Sequence, residues 1–193
     1  MKKSKRICLG LLSLLIIAAL FQIPKMTAHA DDNVYDVKAD DAITALQEQV
    51  DAGKSLHFAK GSYSYDGTLL ISKDIVLTTD AGADVTFTPA DGKNGMEVSG
   101  TGSIKFDGSG SITVDGKNTN GGDAIRGINC GGRFIMAGGT LNVKNTAGYG
   151  IGGDAIGSDF NMTGGTLNIT NCGHGDRADS SGTITNVISQ PEN

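Results

Sequence analysis

Two aspartates, each preceded by a pair of glycines, are the residues of this chain best suited to bind a metal ion. The motif GGDAI occurs at residues 121–125 and again at 152–156, which puts Asp123 and Asp154 in equivalent positions. Calcium prefers several hard oxygen ligands, from carboxylates and turn carbonyls. Three further aspartates lie close in the sequence: Asp115, Asp159 and Asp176. The pattern predicts a calcium site at Asp123, Asp154 and Asp159, although aspartates after glycine also form ordinary Asx turns.

A repeated segment would position these aspartates. Residues 134–145 read FIMAGGTLNVKN, and residues 160–171 read FNMTGGTLNITN, 26 residues further on. A more distant copy, SIKFDGSGSITVDG, covers residues 103–116. Self-similarity at such a period is typical of a solenoid, in which stacked coils bury an apolar face that one coil cannot bury alone.

Strand alternation assigns the side chains of each copy to two faces. It turns Leu141 and Val143 inward and Asn142 outward, with Asn168 outward in the second copy. Both copies end on asparagine, at Asn145 and Asn171. We expect these two side chains to stack at equivalent corners and to form an internal hydrogen-bonded ladder.

The rest of the chain favours an all-β fold with one helix. Short runs rich in β-branched and aromatic residues follow one another too closely for βαβ crossovers, at residues 69–71, 75–77, 85–87, 96–98, 104–106 and 112–114. A β-sandwich or a parallel β-helix remains, and the repeat favours the parallel β-helix.

One amphipathic helix is predicted at residues 42–52. Asp40 and Asp41 would form its acidic start and Gly53 would end it. We expect this helix to cap the open end of the first coil.

The order of these motifs resembles a known family. The helix, a short strand and a Lys-Gly turn before Tyr63 and Tyr65 are similar to the start of pectin-lyase-like right-handed β-helices. The GGDAI and GGTL motifs between residues 98 and 171 resemble the bacterial secreted carbohydrate-binding β-helix domain. This resemblance implies a right-handed parallel β-helix that is non-catalytic and binds plant-type or acidic polysaccharide with Ca²⁺, and it supports Asp123 and Asp154 as ligands.

Three residues are candidates for contacts with a sugar. Sugar-binding faces usually carry aromatic side chains, but this chain has no tryptophan and four tyrosines. Tyr149, between the two repeats, is the best stacking candidate, and a corner tyrosine packed on the wall is the alternative. Asn142 and Asn168 would add hydrogen bonds from the outer face.

A catalytic alternative depends on His174 and Asp154. The Gly173-His174-Gly175 sequence resembles the Gly-His-Gly of polygalacturonases, another right-handed β-helix family. Glycoside hydrolysis needs an acid and a base carboxylate, and the other motifs of that family are broken or missing here. A lyase would need calcium and a basic residue, for which Arg126 and Arg177 are conceivable.

The first 30 residues have the features of a signal peptide. A basic start is followed by an apolar stretch over residues 7–23 and by Ala28-His29-Ala30, a small-residue cleavage pattern. An uncleaved membrane anchor is the alternative. We therefore expect residues 1–30 to be removed and residues 31–193 to form one secreted or surface-located β-helix domain without stable membrane insertion.

The net charge of the chain limits the kinds of molecule that it can bind. The chain has a net charge of −5, and loss of the basic leader makes the remainder more acidic. Such a surface repels nucleic acid.

Cys130 and Cys172 remain after cleavage, and we favour two separate thiols over a disulfide. The predicted C-terminal strand at 184–188 has no capping helix, so the tail could cover this end or the chain could form an end-to-end homodimer.

These observations predict an exported, non-catalytic polysaccharide-binding β-helix protein. A polysaccharide lyase or polygalacturonase-like hydrolase is the second hypothesis. A structural or adhesive surface solenoid is the third.

Overall fold

The computed structural model describes residues 33–117, 126–152, 160–174 and 187–189, with the backbone alone for 173, 174 and 187–189. One helix, α1 (Ile43–Asp51), and sixteen strands are found in these residues. The strands are β1 (Val34–Asp36), β2 (Ser55–Phe58), β3 (Gly61–Asp66), β4 (Leu69–Ile71), β5 (Asp74–Thr79), β6 (Ala83–Thr88), β7 (Met96–Val98), β8 (Ser103–Gly108), β9 (Ser111–Asp115), β10 (Ile128–Cys130), β11 (Arg133–Met136), β12 (Thr140–Tyr149), β13 (Ile151–Gly152), β14 (Phe160–Met162), β15 (Thr166–His174) and β16 (Val187–Ser189).

The strands form three parallel sheets. Sheet A has the order β1-β2-β5-β8-β11-β14, sheet B the order β3-β6-β9-β12-β15-β16, and sheet C the order β4-β7-β10-β13. From β2 to β15 the chain enters sheets A, B and C in rotation, and one such passage is called a coil below. The fold is therefore mostly β, and its parallel sheets are consistent with the parallel β-helix that the repeat predicts.

The two sequence repeats are neighbours in register. Phe134 pairs with Phe160 in sheet A, and Thr140 pairs with Thr166 in sheet B, so that identical positions of the two copies lie side by side. The more distant copy lies next to them, with Ile104 beside Phe134. The prediction that the repeats are successive parallel rungs is confirmed.

Every other side chain of the strands enters one shared core. Leu141, Val143, Leu167 and Ile169 are all buried, as the alternation predicts. Aromatic rings stack across coils in sheet A, where the Phe134 and Phe160 centroids lie 4.7 Å apart and nearly parallel. The three sheets therefore share a continuous apolar interior, which burial of nonpolar surface stabilises.

The helix lies against the first coil, but its start differs from the prediction. Leu46 and Val50 are buried, and Gln47 hydrogen-bonds both backbone polar groups of Leu70 in β4. Its first turn contains no acidic residue, and Ala42 at the N-cap makes no side-chain cap. Asp41 instead accepts hydrogen bonds from the Lys38 N–H and the Tyr35 hydroxyl, which uses the carboxylate before the helix begins.

The helix ends as predicted at Gly53, which has a φ of +84°. The Gly53 N–H donates to the Val50 carbonyl and the Lys54 N–H to the Gln49 carbonyl. This pair of bonds is a Schellman ending, which favours glycine at the left-handed position.

The predictions for the two chain ends and for the two cysteines can also be compared with the structure. Strand β16 pairs with β15, overlapping the predicted last strand, while residues 1–30 lie outside the described residues. Cys130 is buried and Cys172 is half-buried, and no disulfide joins them in the structure. Burial raises the pKa of the Cys130 thiol to about 11. Within the described part of the chain, no helix is long and apolar enough to cross a membrane.

Candidate functional site

The outer face of sheet C carries a row of side chains, one per coil. Each short strand buries its first and third residues, which turns Leu70, Glu97 and Asn129 outward. The strand register places Glu97 beside Leu70 on one side and beside Asn129 on the other. An open depression of about 370 Å³ lies over this row and is lined by these three residues together with Ser72 and Ser99.

The row combines one apolar side chain with two polar ones. Leu70 is 49% exposed and is the single exposed large hydrophobic residue in the described part of the chain. Glu97 and Asn129 are half-buried. Binding pockets for small molecules commonly combine nonpolar surface with a few fixed polar groups, and this depression has that composition.

A loop residue, Asn94, holds Glu97 in place. The Asn94 side-chain oxygen accepts the Arg126 backbone N–H at 2.7 Å, and its amide nitrogen donates to Glu97 Oε1 at 3.1 Å. The Asn94 backbone carbonyl accepts a hydrogen bond from the Thr68 hydroxyl at 2.7 Å. Because a backbone N–H can only donate, the orientation of the Asn94 amide is fixed, and so is the position of one carboxylate oxygen.

Arg126 holds Asn129 in a similar way, three residues earlier in the same coil. The Arg126 Nη1 atom donates to Asn129 Oδ1 at 2.9 Å, and its guanidinium carbon lies 5.9 Å from the centre of the Tyr149 ring. A cation at this distance over an aromatic face is attracted to the ring. Arg126 therefore orients both asparagines, one through its backbone and one through its side chain.

Glycines before the sheet C strands permit this arrangement. Gly95, Gly127 and Gly150 lie against inward side chains of sheet B, and an added Cβ at Gly127 would overlap Val143 Cγ1. The Gly127 N–H donates to the Tyr149 carbonyl at 3.1 Å. These three glycines, called the glycine column below, therefore let the backbone pass close behind Arg126 and Tyr149.

The three predicted sugar-binding residues fall into two separate places. Tyr149 is half-buried beside Arg126 at the corner that leads into sheet C. Asn142 and Asn168 lie on the outer face of sheet B, where the Asn168 amide donates to Asn142 Oδ1 at 2.8 Å. Between Asn142 and Tyr149, the chain of β12 bends at Asn145, which has a φ of +56°.

The predicted asparagine ladder is present at this bend. The Asn171 amide donates to Asn145 Oδ1 at 2.7 Å, and the Asn145 amide donates to Asp115 Oδ1 at 2.9 Å. It is not internal as expected, since Asn171 is exposed and Asn145 half-buried. Both asparagines have positive φ values, so this ladder follows an outer corner of the chain.

Asp115 is the last acceptor of this ladder. Asp115 Oδ1 accepts hydrogen bonds from the Asn145 amide and from the Lys117 N–H, and Oδ2 lies 3.4 Å from Lys144 Nζ. Burial raises its pKa, but these hydrogen bonds and the Lys144 charge outweigh burial, so the net effect is a pKa below the ordinary value.

The main metal and catalytic candidates are not described by the structure. Asp123, Asp154 and Asp159 lie outside the described residues, and His174 is described by its backbone alone, in register with Tyr149. The described side chains contain no cluster of three or more potential metal ligands. Glu97 is the single carboxylate among the described residues that line the depression.

The residues of the depression and its support that sequence reasoning missed are Leu70, Asn94, Glu97 and Asn129. The run at residues 96–98 was identified as a strand, and its outward residue is a glutamate. Aligning this run with residues 69–71 and 128–130 would have placed Glu97 next to Asn129.

No family model, no curated protein and no solved structure matches this chain.

Proposed function

We propose that this protein is an exported, non-catalytic polysaccharide-binding protein that folds as a right-handed parallel β-helix with an N-terminal capping helix. The observation that supports it most is the depression on sheet C. There an exposed leucine lies in one row with a fixed carboxylate and a fixed amide.

A sugar ring has the complementary composition. Its C–H groups make apolar contacts and its hydroxyls form hydrogen bonds, so Leu70 would contact the ring while Glu97 and Asn129 bind hydroxyls. The row runs across the strands, with neighbouring members about 4.8 Å apart. A linear glycan lying along the stack would meet one side chain per coil.

Calcium is part of this proposal through Asp123, Asp154 and Asp159 only. The family resemblance and the repeated motif support it. Glycan binding that is unchanged by EDTA and by Asp154→Ala would remove calcium from the proposal and leave the sheet C site in place.

A pair of matched substitutions tests the site. Ser72→Leu places an apolar side chain in the depression, and Ser64→Leu makes the same change at an exposed position on the outer face of sheet B. Retention on a panel of immobilised polysaccharides, measured by affinity electrophoresis, should fall at least about tenfold for Ser72→Leu, which is about 1.4 kcal/mol. Ser64→Leu should bind like the wild type.

Equal retention of both variants would contradict the site. Absence of binding to every polysaccharide in the panel would contradict the function. Release of sugar products by the wild-type protein would instead support the enzyme hypothesis, and the loss of those products in His174→Ala would identify the residue involved.

A further inference from the structure

Two hydrogen-bonding groups of the depression have no partner among the described residues, and they define the sugar that the depression can accept. Glu97 Oε1 accepts the Asn94 amide, whereas no described group donates to Glu97 Oε2. Glu97 is half-buried in the sheet C row, and its position is fixed by Asn94. The depression therefore contains an oriented acceptor for a ligand hydroxyl.

Asn129 supplies the matching donor. A guanidinium has donors and no acceptor, so the Asn129 oxygen must face Arg126 and the amide NH₂ must face the other way. No described acceptor binds this NH₂ group. Asn129 is the register partner of Glu97, so the donor and the acceptor lie on adjacent strands. The spacing between neighbouring strands is about 4.8 Å.

Sugar hydroxyls fit this pair because each hydroxyl both donates and accepts. One hydroxyl can donate to the Glu97 carboxylate while a neighbouring hydroxyl accepts from the Asn129 amide. A uronate carboxylate has no hydrogen to donate, and at Glu97 it would place two negative charges together in a partly desolvated depression. Such juxtaposition of like charges disfavours the wrong partner strongly.

We propose that the sheet C depression recognises neighbouring hydroxyls of an uncharged sugar through Glu97 and Asn129, and that Glu97 excludes uronic acids. This specificity rests on the proposed polysaccharide binding and is opposite to the acidic preference that the family resemblance implies. Arg126 is a positioning residue, because it orients the Asn129 side chain and, through Asn94, the Glu97 side chain.

Matched polymers test the charge preference directly. One pair is polygalacturonate and its carboxyl-reduced form, and the other is a β-glucan and its C6-oxidised form. Dissociation constants are measured for each in EDTA and again with added calcium. At least one uncharged polymer should bind at least about tenfold more tightly than its charged partner, since a hydrogen bond to a charged group is worth about that factor or more.

Two variants assign the preference to Glu97. Glu97→Gln keeps the shape and removes the charge, so the ratio between the uncharged and charged polymers should fall towards one. Glu48→Gln removes one negative charge from an exposed position on α1 and should leave the ratio unchanged. Arg126→Gln should weaken binding of the uncharged polymer, with circular dichroism confirming that the variant is folded.

Several outcomes would overturn the proposal. They are equal or tighter binding of the charged polymers, a ratio that Glu97→Gln leaves unchanged, and calcium-dependent uronate binding that requires Glu97. Absence of binding to all four polymers would do so as well. If other glycans bind and Ser72→Leu blocks them, the proposed function stands while this specificity fails.

Discussion

The outer faces of sheets B and C use the same kinds of side chain in opposite ways. On sheet B, Asn142 and Asn168 bond to each other across neighbouring coils. On sheet C, Asn129 is bonded on its oxygen side by Arg126, and its NH₂ group has no acceptor among the described residues. Both asparagine positions are half-buried, so exposure alone does not separate them.

The difference comes from what stands beside each asparagine. A bond between stacked asparagines uses the NH₂ group of one and the side-chain oxygen of the other, which stabilises the stack of coils and leaves fewer polar atoms for a ligand. An asparagine next to an arginine can only accept from it, so its donor is directed away. Identical repeats therefore build a structural ladder on sheet B, and the non-identical neighbours on sheet C build a candidate binding site.

The largest expected effect comes from breaking the interior that both faces share. Phe134 is 1% exposed and stacks on Phe160, so Phe134→Ala should lower the free energy of unfolding by about 3–5 kcal/mol. Ile135→Ala changes the adjacent outward residue and should cost less than half as much. Urea unfolding curves measure both, and equal losses would show that the two residues do not face opposite sides of sheet A.

A feature of this fold could be predicted from the sequence where the residues that determine it are close in the sequence or occur in both copies of the repeat. The register of Phe134 with Phe160 and the bond between Asn145 and Asn171 follow from comparing two copies of one segment. Gly53 ends the helix as its local pattern predicts. In each case the deciding residues are near in sequence or identical by repetition.

The sheet C site could not be predicted in this way. Arg126 reaches Asn94 across 32 residues, and Glu97 meets Asn129 only through the parallel register of β7 and β10. These residues occupy no repeated motif, and their strands are three residues long. The difference at Asp41 is local, because its hydrogen bond from Tyr35, six residues earlier, competes with the helix cap that the sequence pattern predicts.

A smaller effect is expected from a substitution next to the sheet C site, which tests whether this site can be disturbed through the glycines behind it. Gly127→Ala would push a Cβ into Val143 and to 2.7 Å from the Gly150 carbonyl oxygen, directly behind Arg126. We expect a loss of about 1–3 kcal/mol of unfolding free energy from overpacking, together with weaker glycan binding. Gly100→Ala has room, with the nearest atom at 3.4 Å, and should change neither property. Unfolding curves and affinity electrophoresis on the same samples check both, and unchanged binding in a destabilised Gly127→Ala would separate the glycine column from the site.

The smallest expected effect concerns the asparagine ladder beside sheet B. It is measured as a change in the pH dependence of the unfolding free energy. The pKa of Asp115 is lowered in the folded protein. Its contribution to stability is therefore complete above the ordinary aspartate pKa of about 3.9 and is lost as the pH falls through the lowered folded value. Asn145→Gly removes the donor to Asp115 and the acceptor of the Asn171 amide, and it keeps a residue that adopts positive φ freely. At neutral pH it should cost about 1 kcal/mol, and it should lose less stability than the wild type on further acidification.

Asn171→Gly is the matched control for this ladder. It makes the same change at the equivalent positive φ and deletes the bond to Asn145, but it leaves the bond between Asn145 and Asp115 in place. Its stability should fall at every pH by a similar amount, so its acid profile should run parallel to that of the wild type. Parallel profiles for both variants would mean that Asn145 does not set the Asp115 pKa. Because the ladder belongs to the sheet B side, neither variant should alter glycan binding at neutral pH, and a change there would show that the two faces are coupled.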